Sequence, residues 1–215
     1  MTQVISILNQ KGGVGKTTLC TNLGMALQQE GRAVLLVDAD PQGSLRDWNA
    51  ANEGNTLPVV GLDRETLAKD LEAIKDNYEW VLIDGAPQSA KLAGAAVRAA
   101  DQVLIPVTPS PYDVWACADL VEIIQARQAV TDGTPPAYFV ISRARKGTKL
   151  GADVRHALAD YKLACLKGHT IQREIYPQTA ADGLTVYHTA HARDAIAEIT
   201  AIRNELVELC DGFHS

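Results

Sequence analysis

One glycine-rich segment, more than any other, limits what this chain can fold into. The segment NQKGGVGKTT, residues 9–18, follows a short apolar run and opens a helical pattern. Its glycines let the backbone approach a ligand and aim N–H groups at phosphate oxygens, and the start of the helix adds partial positive charge. Loops of this kind lie at the carboxyl ends of parallel strands. The segment therefore predicts an α/β protein with a phosphate-binding loop.

Short apolar runs alternate with helical patterns along the remaining chain. The runs predict strands at residues 4–8, 33–37, 81–83, 102–107 and 137–141, with a weaker strand at 169–171. The helical patterns cover residues 16–30, 64–77, 90–100, a segment capped by Asp113, and residues 193–210. Nearly continuous apolar runs are typical of parallel strands buried on both faces. We therefore expect a three-layer α/β/α fold with a mainly parallel sheet, formed by residues 1–215 as a single domain.

The net charge of −6 argues against a nucleic-acid partner, but the charges are unevenly distributed. Residues 143–173 contain eight basic and two acidic side chains, so this basic segment carries +6 and the rest of the chain −12. Its basic residues are Arg143, Arg145, Lys146, Lys149, Arg155, Lys162, Lys167 and Arg173. Each of them alone is most simply a solvated surface charge. The imbalance as a whole favours an anionic partner.

Composition excludes several classes of protein. No apolar run approaches the roughly 20 residues that a membrane-spanning helix needs. The first residues lack the basic and small-residue pattern of a signal peptide. The four cysteines stand far apart in the sequence, as in proteins whose thiols stay reduced. We therefore expect a cytoplasmic protein.

The glycine-rich loop predicts individual roles and also departs from the usual pattern. Lys16 is expected to reach the β- and γ-phosphates of a nucleotide, and the Thr17 hydroxyl to bind Mg²⁺. The usual pattern has glycine at the position of Gln10, whereas here Lys11 stands ahead of the glycines. This is the deviant Walker A form of the P-loop NTPases, and in it the chain resembles the ParA/MinD family of dimerising ATPases.

The resemblance implies how the loop is used. The residues that would contact ATP or ADP are Lys11, Gly12, Gly13, Val14, Gly15, Lys16, Thr17 and Thr18. In that family the lysine at the position of Lys11 reaches across a nucleotide-sandwich homodimer and contacts the partner's ATP. Dimerisation would then depend on bound ATP.

Two further segments extend the resemblance. The segments VLLVDADPQGSL, residues 34–45, and WVLIDGAP, residues 80–87, are similar to the family's second motif and to its Walker B strand. By this likeness Asp40 would orient the attacking water, and Asp84 and Asp38 would hold Mg²⁺ through water. The catalytic residues that the resemblance implies are Lys11, Lys16 and Asp40.

The closest likeness is to the short plasmid-encoded ParA/ParF type. The segments PVTPSPYD, residues 106–113, and IQREIYPQTAADGLTV, residues 171–186, are similar to corresponding segments of partition proteins. The family usually carries an acidic residue shortly after the glycine of the second segment, where this chain has His188, so no role is carried over to it. The chain begins at its first strand, and we therefore expect no N-terminal helix-turn-helix domain.

The resemblance implies an ATP-dependent plasmid-partition ATPase. The ATP-bound homodimer would bind nonspecific DNA on the nucleoid through the basic segment, and a ParB-like centromere-binding partner would stimulate hydrolysis. The terminal helix is rich in acidic residues, which argues against a MinD-like attachment to the membrane. Two alternatives stay open: an ATP-dependent protein that positions a membrane or protein cargo, and a metabolic enzyme of the same fold, such as an amidotransferase-linked ligase.

Overall fold

The structure, a computed structural model, describes residues 2–146 and 150–213. Its strands are β1 (Gln3–Ile7), β2 (Val34–Ala39), β3 (Val59–Gly61), β4 (Trp80–Gly85), β5 (Gln102–Val107), β6 (Ala137–Ala144) and β7 (Ala164–Ile171). They form one sheet in the order β3-β2-β4-β1-β5-β6-β7. Every neighbouring pair is parallel, which confirms the predicted type of sheet.

Helices cover both faces of the sheet. They are α1 (Lys16–Gln28), α2 (Ser44–Ala51), α3 (Leu67–Glu72), α4 (Ala90–Ala99), α5 (Pro111–Trp115), α6 (Ala118–Gln128), α7 (Leu150–Leu158), α8 (Ile175–Ala181) and α9 (Arg193–Phe213). One buried apolar cluster joins the sheet to α1, α2, α8 and α9, and a second joins its other face to α3 through α7. The predicted three-layer architecture is therefore confirmed.

The sequence patterns miss four short elements, β3, α2, α7 and α8. Strand β3 has three residues, each of them partly or fully exposed, and it lies at the edge of the sheet. In α2 only Leu45 and Trp48 are buried. Elements of this length owe their stability to tertiary packing rather than to a pattern of their own, so the local sequence carries little signal for them.

The prediction that Asp113 caps a helix is wrong. Asp113 lies inside the short helix α5, and α6 begins separately at Ala118. The Asp113 carboxylate is buried, and it accepts hydrogen bonds from the hydroxyl of Thr108 and from the ammonium of Lys11. Its acceptor capacity is thus used to hold the lysine of the glycine-rich loop.

The terminal helix α9 belongs to the core. Its apolar side, formed by Ala195, Ile199, Ile202, Leu206 and Cys210, is buried in the same cluster as α1. An apolar side that packs inside the fold is not free to enter a lipid surface. No helix in the described part of the chain combines the length and the hydrophobicity that crossing a bilayer requires.

The register of the sheet brings three loops together at its carboxyl edge. Strand β1 lies between β4 and β5, and Ile7 of β1 is paired with Asp84 of β4. Asp38 of β2 is paired with the same Asp84 from the other side. The glycine-rich loop after β1 therefore meets the loops that follow β2 and β4.

Gly183 holds the segment after α8 against α2. Its φ angle is +65°, and an added Cβ would lie 2.6 Å from the backbone nitrogen of Asn52 and 2.6 Å from the carbonyl oxygen of Trp48. The hydroxyl of Thr56 donates to the Gly183 carbonyl at 2.6 Å, and the indole of Trp48 donates to the Leu184 carbonyl at 3.0 Å. Only glycine satisfies both the backbone angle and the close approach.

Replacement of Gly183 with alanine is expected to lower the free energy of unfolding by roughly 2–5 kcal/mol, because backbone strain and a clash with helix backbone act together. The matched control is Gly31→Ala, where φ is +80° but nothing lies within 4 Å of the added Cβ. It should lose only about 1–2 kcal/mol. Urea unfolding of both variants measures the difference, and equal losses would show that the contact with α2 is unimportant.

Candidate functional site

The glycine-rich loop lines a cleft of about 1050 Å³ at the carboxyl edge of the sheet. The other walls come from the loop after β2, from the end of β6 and from the segment between β7 and α8. Their lining residues include Asp40, Gln42, Ser142, Arg143, Gln172 and Tyr176. A cleft of this size, with polar groups from several elements, is typical of a small-molecule or cofactor site.

The start of α1 points an uncapped helix end into this cleft. Gly15 occupies the cap position with a φ angle of +93°, which suits glycine. No side chain caps the helix, and no acidic residue lies in its first turn. The N–H groups of the first turn and the positive end of the helix dipole are therefore suited to a phosphate.

Lys16 is buried at the base of the loop. Its ammonium donates a hydrogen bond to the carbonyl oxygen of Lys11 at 3.2 Å. Burial lowers the pKa of Lys16, and the carboxylates of Asp84 and Asp40 oppose that shift. The side chain thus carries a poorly solvated cation in the cleft, which an anionic ligand would stabilise.

Thr17 and Asp84 form a pair that fits a magnesium ion. The hydroxyl of Thr17 donates to Asp84 Oδ2 at 2.6 Å. The other oxygen, Oδ1, is buried and accepts no hydrogen bond from the described residues. Burial raises the pKa of Asp84 from 3.8 to about 7, against the opposing effects of Thr17 and Lys16. A buried carboxylate beside a hydroxyl, with one oxygen free, is the ligand chemistry that Mg²⁺ uses at phosphate sites.

Asp38 organises the loop after β2. Its carboxylate is fully buried, and Oδ1 accepts the backbone N–H of Asp40 at 3.0 Å. Oδ2 accepts the backbone N–H of Arg46 at 2.9 Å. Asp40 lines the cleft as expected, whereas both oxygens of Asp38 already bind the protein itself. Binding of Mg²⁺ by Asp38 through water stays a prediction.

Lys11 lies outside this cleft and lines an adjoining one of about 570 Å³. Its ammonium forms an ion pair with Asp113, whose side chain is 3% exposed, whereas the Lys11 side chain is 43% exposed. Its backbone N–H donates to Asn9 Oδ1 at 2.8 Å. The two lysines of the loop therefore occupy different places, with Lys16 inside the cleft and Lys11 on its outer side.

Three residues support the loop through contacts that the sequence analysis did not predict. Asn9 binds the Lys11 backbone, and its amide donates to the Pro106 carbonyl at 2.8 Å. The hydroxyl of Ser142 donates to the Val14 carbonyl at 2.5 Å, and the guanidinium of Arg143 donates to the Gly13 carbonyl at 2.6 Å. Asn9 is the first residue of the glycine-rich segment, so its position in the sequence could have indicated a role in supporting the loop. Ser142 and Arg143 are 128 and 130 residues away from their partners, and nothing local in the sequence marks them.

The structure divides the basic segment. The guanidinium groups of Arg143, Arg155 and Arg173 bind carbonyl or carboxylate groups of the fold, so they are less available to a partner than predicted. Arg145, Lys146, Lys162 and Lys167 are exposed. Lys149 lies outside the described residues. Fewer of the eight basic residues are thus available to DNA than the sequence predicts.

His188 stands where related proteins usually carry an acidic residue, shortly after Gly183 in the segment that begins at residue 171. The structure shows the contact that His188 makes. Its Nδ1 accepts the backbone N–H of Thr185 at 3.2 Å, at the start of a short 3₁₀ turn. An imidazole nitrogen that accepts this bond caps the turn as a carboxylate would.

The comparison with protein families places the site in a known group. Residues 5–186 match the family model described as the CobQ/CobB/MinD/ParA nucleotide binding domain. The matched region contains the glycine-rich loop, the loop after β2, strand β4 with Asp84, the end of β6 and the segment between β7 and α8.

Individual relatives cover the chain to different extents. The maintenance of carboxysome distribution protein A of Halothiobacillus neapolitanus is 30% identical over 208 residues, covering 94% of this chain and 95% of that protein. The chromosome-partitioning ATPase Soj of Thermus thermophilus is 32% identical over 155 residues, covering 58% of this chain and 62% of Soj. Among solved structures, the septum site-determining protein MinD of Pyrococcus horikoshii, complexed with Mg-ADP, has a TM-score of 0.74 at 18% identity and covers 98% of both chains. At that identity the last likeness supports the fold alone.

The raised pKa of Asp84 leads us to predict how the stability of the nucleotide-free protein depends on pH. The pKa of this carboxyl group is 3.8 as the reference value and about 7 in the folded protein. As the pH rises, the unfolded chain therefore loses this proton at a lower pH than the folded protein does. Stability is therefore lost as the pH rises from about 4 to 7, and above this range the full penalty applies. Asp84→Asn removes the charge, and we expect it to stabilise the protein near pH 8 by an amount on the order of 2–4 kcal/mol.

The measurement is thermal or urea unfolding of both proteins across that pH range. The advantage of Asp84→Asn should shrink toward zero near pH 4, where the wild-type carboxyl group is neutral in both states. The control is Asp47→Asn, which changes an exposed carboxylate on α2. A pH-independent difference would show that the buried charge is not the cause.

Proposed function

The chain belongs to the CobQ/CobB/MinD/ParA nucleotide-binding domain family, and from this premise we propose that it is an ATPase that partitions DNA. The protein would bind Mg-ATP, dimerise, hold nonspecific DNA and release it after hydrolysis. The observation that carries the proposal is the arrangement of the two lysines of one loop, with Lys16 inside the cleft and Lys11 outside it. One lysine is then available for the chain's own nucleotide and the other for a second subunit.

The residues of the cleft suit phosphoryl transfer. Lys16 and the start of α1 would hold the β- and γ-phosphates. Thr17 would bind Mg²⁺ directly and Asp84 through water, and the ion would neutralise charge on the phosphate oxygens. Asp40 would orient a water that attacks the γ-phosphorus while the bond to the β–γ bridging oxygen breaks, giving ADP and phosphate.

The outer side of the loop suits a homodimer. Lys11 would leave Asp113 and contact the phosphates bound by the partner. The rings of Tyr112 and Trp115 flank Asp113, lie 5.4 Å apart, and are 72% and 65% exposed. Exposed aromatic side chains beside a cation are typical of protein interfaces. These features support a dimer in which ATP is enclosed between two copies.

DNA binding rests on the exposed part of the basic segment. Lys162 and Lys167 lie before and on β7, at one edge of the sheet, and Lys146 follows β6. A patch of a few cations gives weak affinity at physiological salt, and a dimer that presents two such patches binds far more tightly. ATP would therefore control DNA binding by controlling dimerisation, and a ParB-like partner would accelerate the release. On this proposal the protein is cytoplasmic and associates with the nucleoid when ATP is bound.

A second candidate is the positioning of a protein cargo. The observation that favours it is the carboxysome distribution protein, which is similar to this chain over 94% of its length. The same ATP-dependent dimer would then act on an adaptor attached to a protein assembly. The two candidates share the nucleotide site and differ in what the dimer moves.

We expect wild-type protein to be retained on nonspecific duplex DNA with ATP, and not with ADP or without nucleotide. Retention should weaken steeply between about 50 and 200 mM salt, since phosphate contacts release counterions. Lys16→Ala should abolish it together with ATP binding. Lys162→Ala/Lys167→Ala should reduce the salt slope by about 2–4 per dimer. The matched control, Lys69→Ala/Lys91→Ala, removes the same charge from α3 and α4.

Two outcomes would separate the candidates. Absence of DNA retention in every nucleotide state, with ATP-dependent dimerisation intact, would exclude DNA partition and favour the protein cargo. Equal loss of retention in both double lysine variants would show that net charge, rather than the β7 edge, governs DNA binding.

Lys11 is expected to be necessary for the dimer but not for ATP binding. Because Lys11→Ala alone would leave the buried Asp113 carboxylate without its cation, the test uses Lys11→Ala/Asp113→Asn and compares it with Asp113→Asn. Sedimentation with a non-hydrolysable ATP analogue should show a monomer for the double variant and a dimer for the single one. A dimer in both would remove the proposed role of Lys11.

A further inference from the structure

Arg46 on α2 connects the end of β2, the loop that carries Asp40 and the segment after β3. Its Nε donates to Asp38 Oδ2 at 3.3 Å, and its Nη2 donates both to the Asp40 carbonyl at 2.9 Å and to Asp63 Oδ2 at 3.1 Å. Asp63 lies just beyond β3, so one guanidinium joins the edge of the sheet to the loop after β2. A planar group with several fixed donors is suited to such a bridge, and an ammonium is not.

These contacts fix the backbone of Asp40 on both sides. Its N–H donates to Asp38 Oδ1 at 3.0 Å, and its carbonyl accepts from Arg46 and also from the Gly43 N–H, at 2.9 Å in each case. Asp38 and Arg46 are themselves an ion pair. The main chain of Asp40 is therefore held between two charged side chains that bind each other. Asp40 itself lines the cleft, and Oδ1 of its carboxylate accepts the backbone N–H of Gln42 at 3.0 Å.

The sequence leaves room for this guanidinium. A Cβ at Gly61 would lie 3.2 Å from Cδ and from Nη1 of Arg46, and a Cβ at Gly43 would lie 3.4 Å from its Nε and Nη2. The two glycines lie on either side of the Arg46 side chain. Glycine in β3 and glycine in the loop after β2 thus both leave space for the Arg46 side chain.

We propose that Arg46 is a positioning residue for ATP hydrolysis, acting through Asp40. Arg46 fixes the main chain of Asp40, and this sets where the carboxylate meets the attacking water. The inference rests on the proposed function, in which Asp40 orients that water. The Arg46 guanidinium binds Asp38, the Asp40 carbonyl and Asp63 rather than the phosphate-binding loop, so we expect its effect to be on turnover rather than on ATP affinity.

The test measures phosphate release and ATP affinity for Arg46→Lys. Lysine keeps a cation next to the buried Asp38 but cannot bind all three acceptors. We expect kcat to fall roughly tenfold to a hundredfold, with KM and the ATP dissociation constant unchanged. In the Asp40→Ala background the same substitution should cause no further loss, since the group that Arg46 positions is absent.

Two further variants complete the design. Gly61→Ala presses on the guanidinium without changing any charge, and we expect a smaller loss of kcat in the same direction. Arg32→Lys is the matched control, because Arg32 forms an exposed ion pair with Glu79. This variant should hydrolyse ATP at the wild-type rate.

Each outcome decides the inference. Wild-type kcat in Arg46→Lys, or an equal loss in the presence and absence of Asp40, overturns it. If Asp40→Ala itself hydrolyses ATP normally, the proposed role of Asp40 fails and the inference fails with it. If Asp40→Ala is inactive and Arg46→Lys is not, only the inference fails. Should Arg46→Lys not fold, wild-type kcat in Gly61→Ala overturns the inference on its own.

Discussion

The site depends on two carboxylates, Asp38 and Asp84, that are buried side by side at the ends of neighbouring strands. Two negative charges in a poorly solvated place are unfavourable unless cations or hydrogen-bond donors stand nearby. The protein supplies these to unequal extents. Asp38 has two backbone N–H groups and the guanidinium of Arg46, whereas among the described residues Asp84 has the Thr17 hydroxyl and the more distant Lys16.

This inequality separates a carboxylate that is used by the fold, Asp38, from one that is suited to a ligand, Asp84. Asp38 is satisfied within the fold, so it can hold the loop after β2 in one conformation whether or not a ligand is bound. One oxygen of Asp84 has no hydrogen-bond partner in the part of the chain that the structure describes, and the pKa of Asp84 is raised to about 7. A divalent cation would relieve both features at once, because it binds the free oxygen or its water and favours the ionised form. The buried charge of Asp84 is unfavourable for folding, and a bound cation would offset that cost.

The sequence predicts the parts of this structure that depend on local pattern. Apolar runs predicted the parallel sheet and its layers. The glycine-rich loop predicted that Lys16 and Thr17 line one cleft, and the strand order brings Asp84 of β4 next to Thr17. What could not be predicted are pairs that the fold brings together from afar. The contact of Ser142 with Val14 crosses 128 residues, and no motif announces it. Asp113 was misread for the same reason, because its partner Lys11 is 102 residues away while the helix beside it is near.

The ion pair between Lys11 and Asp113 adds a condition to the proposed dimer. When Lys11 turns toward a partner's phosphates, Asp113 stays buried and retains only the Thr108 hydroxyl. Breaking a pair with one buried member is unfavourable, so the gain from the partner's ATP has to exceed that loss in both subunits. A γ-phosphate would add negative charge for Lys11 to contact, whereas ADP carries less negative charge. The cost of breaking the intramolecular pair is the same with either nucleotide, so it would weaken both forms of the proposed dimer equally. ADP, which offers less phosphate charge to Lys11, would be the nucleotide that fails to offset this cost first.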